Sequence, residues 1–71
     1  MKTRTLTVST DHWTARCRWV FRDLKWECVI MDKELRFLKD LTPEQCKAEL
    51  EKLKARWQWG RVEDREVTSS F

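Results

Sequence analysis

The sequence predicts an α+β fold: a four-stranded antiparallel β-meander with one C-terminal α-helix packed across one face. Apolar and polar residues alternate through the first half of the chain, and the alternating runs are joined by very short connections. A helix start and an apolar stripe at helical spacing come after them. With 71 residues, 41% of them hydrophobic, the chain is the size of one small domain. A single glycine and a single proline exclude collagen-like and linker sequences. Five tryptophans and three phenylalanines supply the apolar bulk for a core, which excludes disorder.

The strongest alternation runs through Trp13, Ala15, Cys17, Trp19 and Phe21, interleaved with Thr14, Arg16, Arg18, Val20 and Arg22. Successive strand side chains point to opposite faces, so this run has one buried face and one basic face. Leu6 and Val8 alternate with Thr5, Thr7 and Ser9 before it, in a β-rich run. Trp26, Cys28 and Ile30 alternate with Lys25, Glu27, Val29 and Met31 after it, and a short fourth run sets Leu35 and Phe37 opposite Arg36 and Leu38. Short connections favour antiparallel hairpins. Ile30 opposite Leu35 and Cys28 opposite Phe37 would make Asp32-Lys33 a turn. Two registers fit the middle hairpin. One pairs Phe21 with Trp26 across Asp23-Leu24; the other pairs Trp19 with Trp26 and Cys17 with Cys28 across Arg22-Asp23.

The helix signal begins at Leu41-Thr42-Pro43-Glu44-Gln45, with Thr at the N-cap, Pro at the first helical position and Gln closing a capping box. Cys46, Leu50, Leu53 and Trp57 form its apolar stripe, and Gly60 is placed for a left-handed C-cap. The domain is therefore expected to span residues 1–60, with 61–71 a C-terminal tail that forms a short strand or is disordered. Trp13, Trp19, Trp26 and Trp57 are assigned to the core, and Trp59, off the stripe, to partial burial against the domain.

Net charge is +3, and it is unevenly distributed. Residues 1–22 carry Lys2, Arg4, Arg16, Arg18 and Arg22 against Asp11 alone, a local +4. The N-terminus has no apolar segment of the secretory type, and the three cysteines fit inward positions as reduced thiols. The expected location is cytoplasmic. No run approaches the ~18 apolar residues of a spanning helix, and no membrane partner is expected.

No enzymatic chemistry is expected. His12 beside Asp11 reads as a turn element facing water, and there is neither a nucleophile elbow nor a Gly-rich phosphate loop. Cys17, Cys28, Cys46 and His12 have the residue types for zinc but lack knuckle spacing, so neither metal nor cofactor is expected.

The outer sheet face is the informative surface. Arg16, Arg18, Arg22, Lys25 and Arg36 are expected there, among Val20, Val29, Met31 and Leu38. Arginine with exposed aliphatics and methionine is the composition of a protein contact. The expected function is therefore a small non-enzymatic protein, of inhibitor or adaptor type, that docks on or occludes a protein partner. Arg16, Arg18, Arg22 and Arg36 make the contact, around an apolar centre of Val20 and Met31. In size and build the chain is similar to small phage-encoded inhibitors of bacterial nucleic-acid machinery, anti-CRISPR proteins included.

From Trp13 to Trp57 the order of strands and helix, with arginines on exposed strand positions, resembles integrase arm-binding domains and plant ethylene-response-factor domains. The resemblance implies nucleic acid as the alternative partner, read by a DNA-binding sheet through its strand arginines. A third expectation is a self-associating subunit, a homodimer through the same face.

Overall fold

In the computed structural model, which describes residues 1–58 and 60–68, the chain forms four antiparallel strands and one α-helix on one face of the sheet. The strands are β1 (Lys2–Ser9), β2 (Thr14–Arg22), β3 (Lys25–Met31) and β4 (Arg61–Thr68); helix α1 spans Pro43–Trp57. Sheet order is β3-β2-β1-β4. The fold class is as expected, but the fourth strand comes from beyond the helix. The meander covers β1 to β3 only, and the chain then crosses the inner face to place β4 on the free edge of β1.

Residues 33–38, expected as the fourth strand, form a 3₁₀ helix. Leu35 and Leu38 stand three apart and are both buried, which matches the three residues per turn of that helix and not a strand's period of two. Leu38 is therefore in the core and Phe37 exposed, the reverse of the strand expectation. Asp32 closes β3 instead of opening a hairpin: its carboxylate accepts from the Arg16 amide at 2.9 Å.

The β2–β3 hairpin takes the Phe21–Trp26 register, with Asp23-Leu24 as the turn, and excludes the Cys17–Cys28 pairing. A bulge then intervenes between Arg18 and Trp19. Trp19 pairs with Cys28 but Arg18 with Ile30, so Val29 is the extra residue. One inserted residue reverses the parity of the rest of the strand. Ile30 turns to the outer face, and Met31 turns inward opposite Cys17, whose thiol lies 3.3 Å from the Met31 sulfur.

The core lies between the inner sheet face and the helical layer. Leu6 and Val8 of β1, with Ala15, Cys17 and Trp19 of β2, meet Leu35, Leu38, Cys46 and Leu50. The α1 capping box is formed as expected: the Thr42 hydroxyl accepts from the Gln45 amide, and the Gln45 side chain accepts from the Thr42 amide. At the other end Gln58, not Gly60, takes the left-handed cap, at φ 58°. Gly60 instead donates its amide to the Ser9 carbonyl at 2.7 Å, turning the chain into β4. Of the expected stripe, Cys46 and Leu50 are buried and Leu53 packs against the core; Trp57 is exposed and stacks on Phe37. The expectation for Trp59 falls outside the described residues. Among the described residues, no helix is long and apolar enough to cross a membrane.

Asp23 and Leu24 both have positive φ, 54° and 64°, as a type I′ turn requires. Leu24 is 91% exposed, so its side chain contributes almost no burial to offset that conformation. Leu24→Gly should relieve backbone strain of ~1–2 kcal/mol and lose part of the gain to unfolded-chain entropy. The net expectation is ~0.5 kcal/mol of added stability, a melting temperature a few degrees higher. A lower melting temperature would show that the Leu24 side chain makes a stabilising contact.

Candidate functional site

Strand parity and the observed register together define the outer face. From β1 it receives Thr3, Thr5, Thr7 and Ser9; from β2 Thr14, Arg16, Arg18, Val20 and Arg22; from β4 Arg61, Glu63, Arg65 and Val67. On β3, Lys25, Glu27 and Ile30 share this side. Its centre is a row of hydroxyls, because β1 is an inner strand with polar residues at every outward position. Arginines from β2 flank the row on one side and arginines from β4 on the other.

The registers bring these groups into rows. Arg18, Thr5 and Arg65 lie across one line, and Arg16, Thr7 and Glu63 across the next. Thr5, Thr7, Arg16, Arg18, Glu63 and Arg65 line an open cleft of about 220 Å³. The Arg18 Nε donates to the Thr5 hydroxyl at 3.3 Å. Two cations of this face are engaged: Arg61 pairs with Glu63, and Arg22 lies 3.8 Å from Glu27. Arg16, Arg18 and Arg65 have no acid partner among the described residues.

Of the expected contact residues, Arg16, Arg18 and Arg22 are exposed on this face. Val20 faces the same way but is only 8% exposed, too recessed to form a contact centre. Met31 packs inward because of the bulge, and Arg36 is carried off the sheet by the 3₁₀ helix. Arg61 and Arg65, absent from the expected set, complete the face. Their alternation with Val62 and Asp64 is visible in the sequence, but Val62 is the only apolar residue that β4 contributes to the inner packing.

A separate charged cluster occupies the inner rim. Arg4, between Lys2 and Leu6, points to the helix side and is 8% exposed. Its Nε and Nη2 donate to the two Asp64 oxygens at 2.9 and 2.7 Å, and its Nη1 donates to Glu44 at the start of α1. Lys47 approaches Asp64 at 3.1 Å and Lys2 approaches Glu66 at 3.6 Å. Hydrogen bonding from Arg4 holds the Asp64 carboxyl below its usual pKa, against the effect of burial; the same carboxylates push Arg4 up. The basic bias of residues 1–22 therefore divides. Lys2 and Arg4 are matched to β4 acids on the inner side, while Arg16 and Arg18 stand on the outer face without an acid partner among the described residues.

Two other features lie away from this face. A cleft of about 480 Å³ at the open end of the helical layer is lined by Trp13, Lys33, Glu34, Phe37 and Trp57. Cys17 and Cys46 are both buried in the core, where the neighbouring Cys46 and burial push the Cys17 thiol up and keep it protonated. No three His, Cys, Asp or Glu side chains converge as metal ligands among the described residues. Comparison with protein-family models, with curated proteins and with solved structures finds no match for this chain.

Proposed function

We propose that this is a small non-enzymatic binding protein that acts by docking its outer sheet face on the phosphate groups of a nucleic acid. The observation that carries this is the cleft over Thr5 and Thr7, where the guanidiniums of Arg16, Arg18 and Arg65 stand together without an acid partner among the described residues. Guanidiniums and hydroxyls are the groups that bind phosphate oxygens, the former in bidentate geometry. The apolar centre that would favour a protein contact is diminished by the inward turn of Met31 and the recession of Val20.

Three phosphate contacts give a defined salt dependence. Binding to a fluorescein-labelled 20-mer, read by anisotropy, should weaken between 50 and 200 mM salt by about 40-fold for a DNA duplex and about 20-fold for a single strand. Arg16→Glu combined with Arg18→Glu should reduce affinity by about 100-fold at 50 mM while leaving the circular dichroism spectrum unchanged. Equal affinity in the double variant would mean that a different surface binds. No binding at low salt would remove nucleic acid and favour the second reading, an acidic surface on a protein partner that is docked on or occluded. That reading is supported by Val29, Ile30 and Val67, aliphatic residues exposed near the flanks of the arginines.

A further inference from the structure

We infer that the outer face takes double-stranded nucleic acid in preference to single strands, lying along the wide groove of a B-form duplex. This rests on the reading of the face as a phosphate-binding surface and specifies which form of nucleic acid fits it.

The first observation is where the aromatic residues stand. Sequence-tolerant single-strand binding uses aromatic side chains on which unpaired bases stack. Among the described residues, none of the outward positions of the four strands is aromatic. Trp19 is in the core, and Trp13 and Trp26 pack against it. Phe21 makes an edge contact with Trp26 on the inner side, and Phe37 stacks on Trp57 in the helical layer. Among the described residues, the aromatic side chains therefore stand off the face that carries the unpaired arginines.

The second observation is spacing. Arg16 and Arg18 are successive outward residues of β2, so their Cα atoms are about 6.7 Å apart, close to two base-pair rises of ~3.4 Å each. The β2 and β4 columns are separated by two strand spacings, about 10 Å. Guanidiniums reaching outward from both columns span the ~12 Å major groove, so that each column meets the phosphates of a different strand. Between them the Thr3, Thr5, Thr7 and Ser9 hydroxyls point at the groove floor. Each can donate or accept, as base edges require. Glu63 stands at the cleft as an acceptor, held by Arg61, in a position suited to an exocyclic amine. A single strand has no second row of phosphates for the β4 column to contact.

The test uses the full chain and three labelled 20-mer probes of one sequence at 50 mM salt: single-stranded DNA, duplex DNA and duplex RNA. Duplex DNA should bind at least ten-fold tighter than either of the others. Arg65→Gln, an exposed change on β4, should lower duplex affinity and reduce the salt slope by about one, while single-strand binding stays within two-fold. Single-strand binding as tight as duplex, still lost in the Arg16→Glu/Arg18→Glu variant, would overturn this inference and leave the phosphate-binding face standing. Equal affinity for duplex RNA, whose major groove is deep and narrow, would overturn the groove placement. No binding to any probe would overturn both.

Discussion

Trp19→Ala should cost ~3–5 kcal/mol and leave the domain largely unfolded at 37 °C. Trp19 is 1% exposed at the centre of β2, paired with Arg4 on one side and Cys28 on the other. A 71-residue domain has a total stability of roughly 4–10 kcal/mol, so the loss is a large share of the whole. Trp19→Phe should behave quite differently. The Trp19 indole N–H is buried and has no hydrogen-bond acceptor among the described residues. Removing an unsatisfied donor returns ~1–3 kcal/mol, and the smaller ring leaves a void costing ~1 kcal/mol. The two nearly cancel, and Trp19→Phe should fall within ~1 kcal/mol of wild type by urea denaturation monitored at 222 nm. If Trp19→Phe proved as damaging as Trp19→Ala, the indole N–H would have to be satisfied.

That Trp19 is interior is legible from the sequence, because Ala15, Cys17 and Trp19 are apolar at one parity and Thr14, Arg16 and Arg18 polar at the other. The same rule places Leu6 and Val8 inside and Thr5 and Thr7 outside. Where the rule fails, it fails for local reasons. Val29 is apolar and fits either face, so nothing in the order of residues marks it as the inserted one. A shift of one residue then exchanges Ile30 and Met31. In Leu35-Arg36-Phe37-Leu38 the two-residue and three-residue spacings both connect apolar side chains. The core takes Leu35 with Leu38, since both then pack against β2 and α1.

For residues 61–71 the sequence leaves a short strand and disorder both open, for a different reason. The inward column of β4 below Val62 is Asp64 and Glu66, so the side-chain pairing with β1 there is ionic and leaves no apolar alternation. The complement was nonetheless present: Lys2 and Arg4 alternate at the same period as Asp64 and Glu66, which an antiparallel pairing brings together. Part of the candidate site is left open with that strand. Arg16 and Arg18 are placed by parity on β2, whereas Arg61 and Arg65 join them only once β4 is on the sheet. Charge pairing on the inner side of an edge strand thus decides which cations appear on the outer side.

That dependence makes Arg4 the second position of large effect. Arg4→Met should destabilise by about 2–3 kcal/mol, at or below the lower end for breaking a buried pair. The Arg4 side chain is 9% exposed and that of Asp64 20%, but Glu44 is 76% exposed and hydrates freely once released. Lys47 also remains near Asp64 at 3.1 Å. The melting temperature should fall by about 10–20 °C. Pairing the change with Asp64→Leu should recover part of the loss, because no buried carboxylate is then left uncompensated. Acid titration gives the independent signature. The folded-state pKa of Asp64 is depressed, so the stability it contributes is fully present above its unfolded value, near pH 4, and disappears as pH falls through the lower folded value. Wild type should therefore lose stability steeply below pH 4, and Arg4→Met, already lacking the pair, should lose less over the same interval. Parallel curves for the two proteins would show that Arg4 does not set the ionisation of Asp64. Because an uncompensated Asp64 would loosen β4 from β1, Arg4→Met should also weaken outer-face binding through loss of Arg65 from the cleft. The double Arg4→Met/Asp64→Leu variant should restore it, although neither residue touches that face.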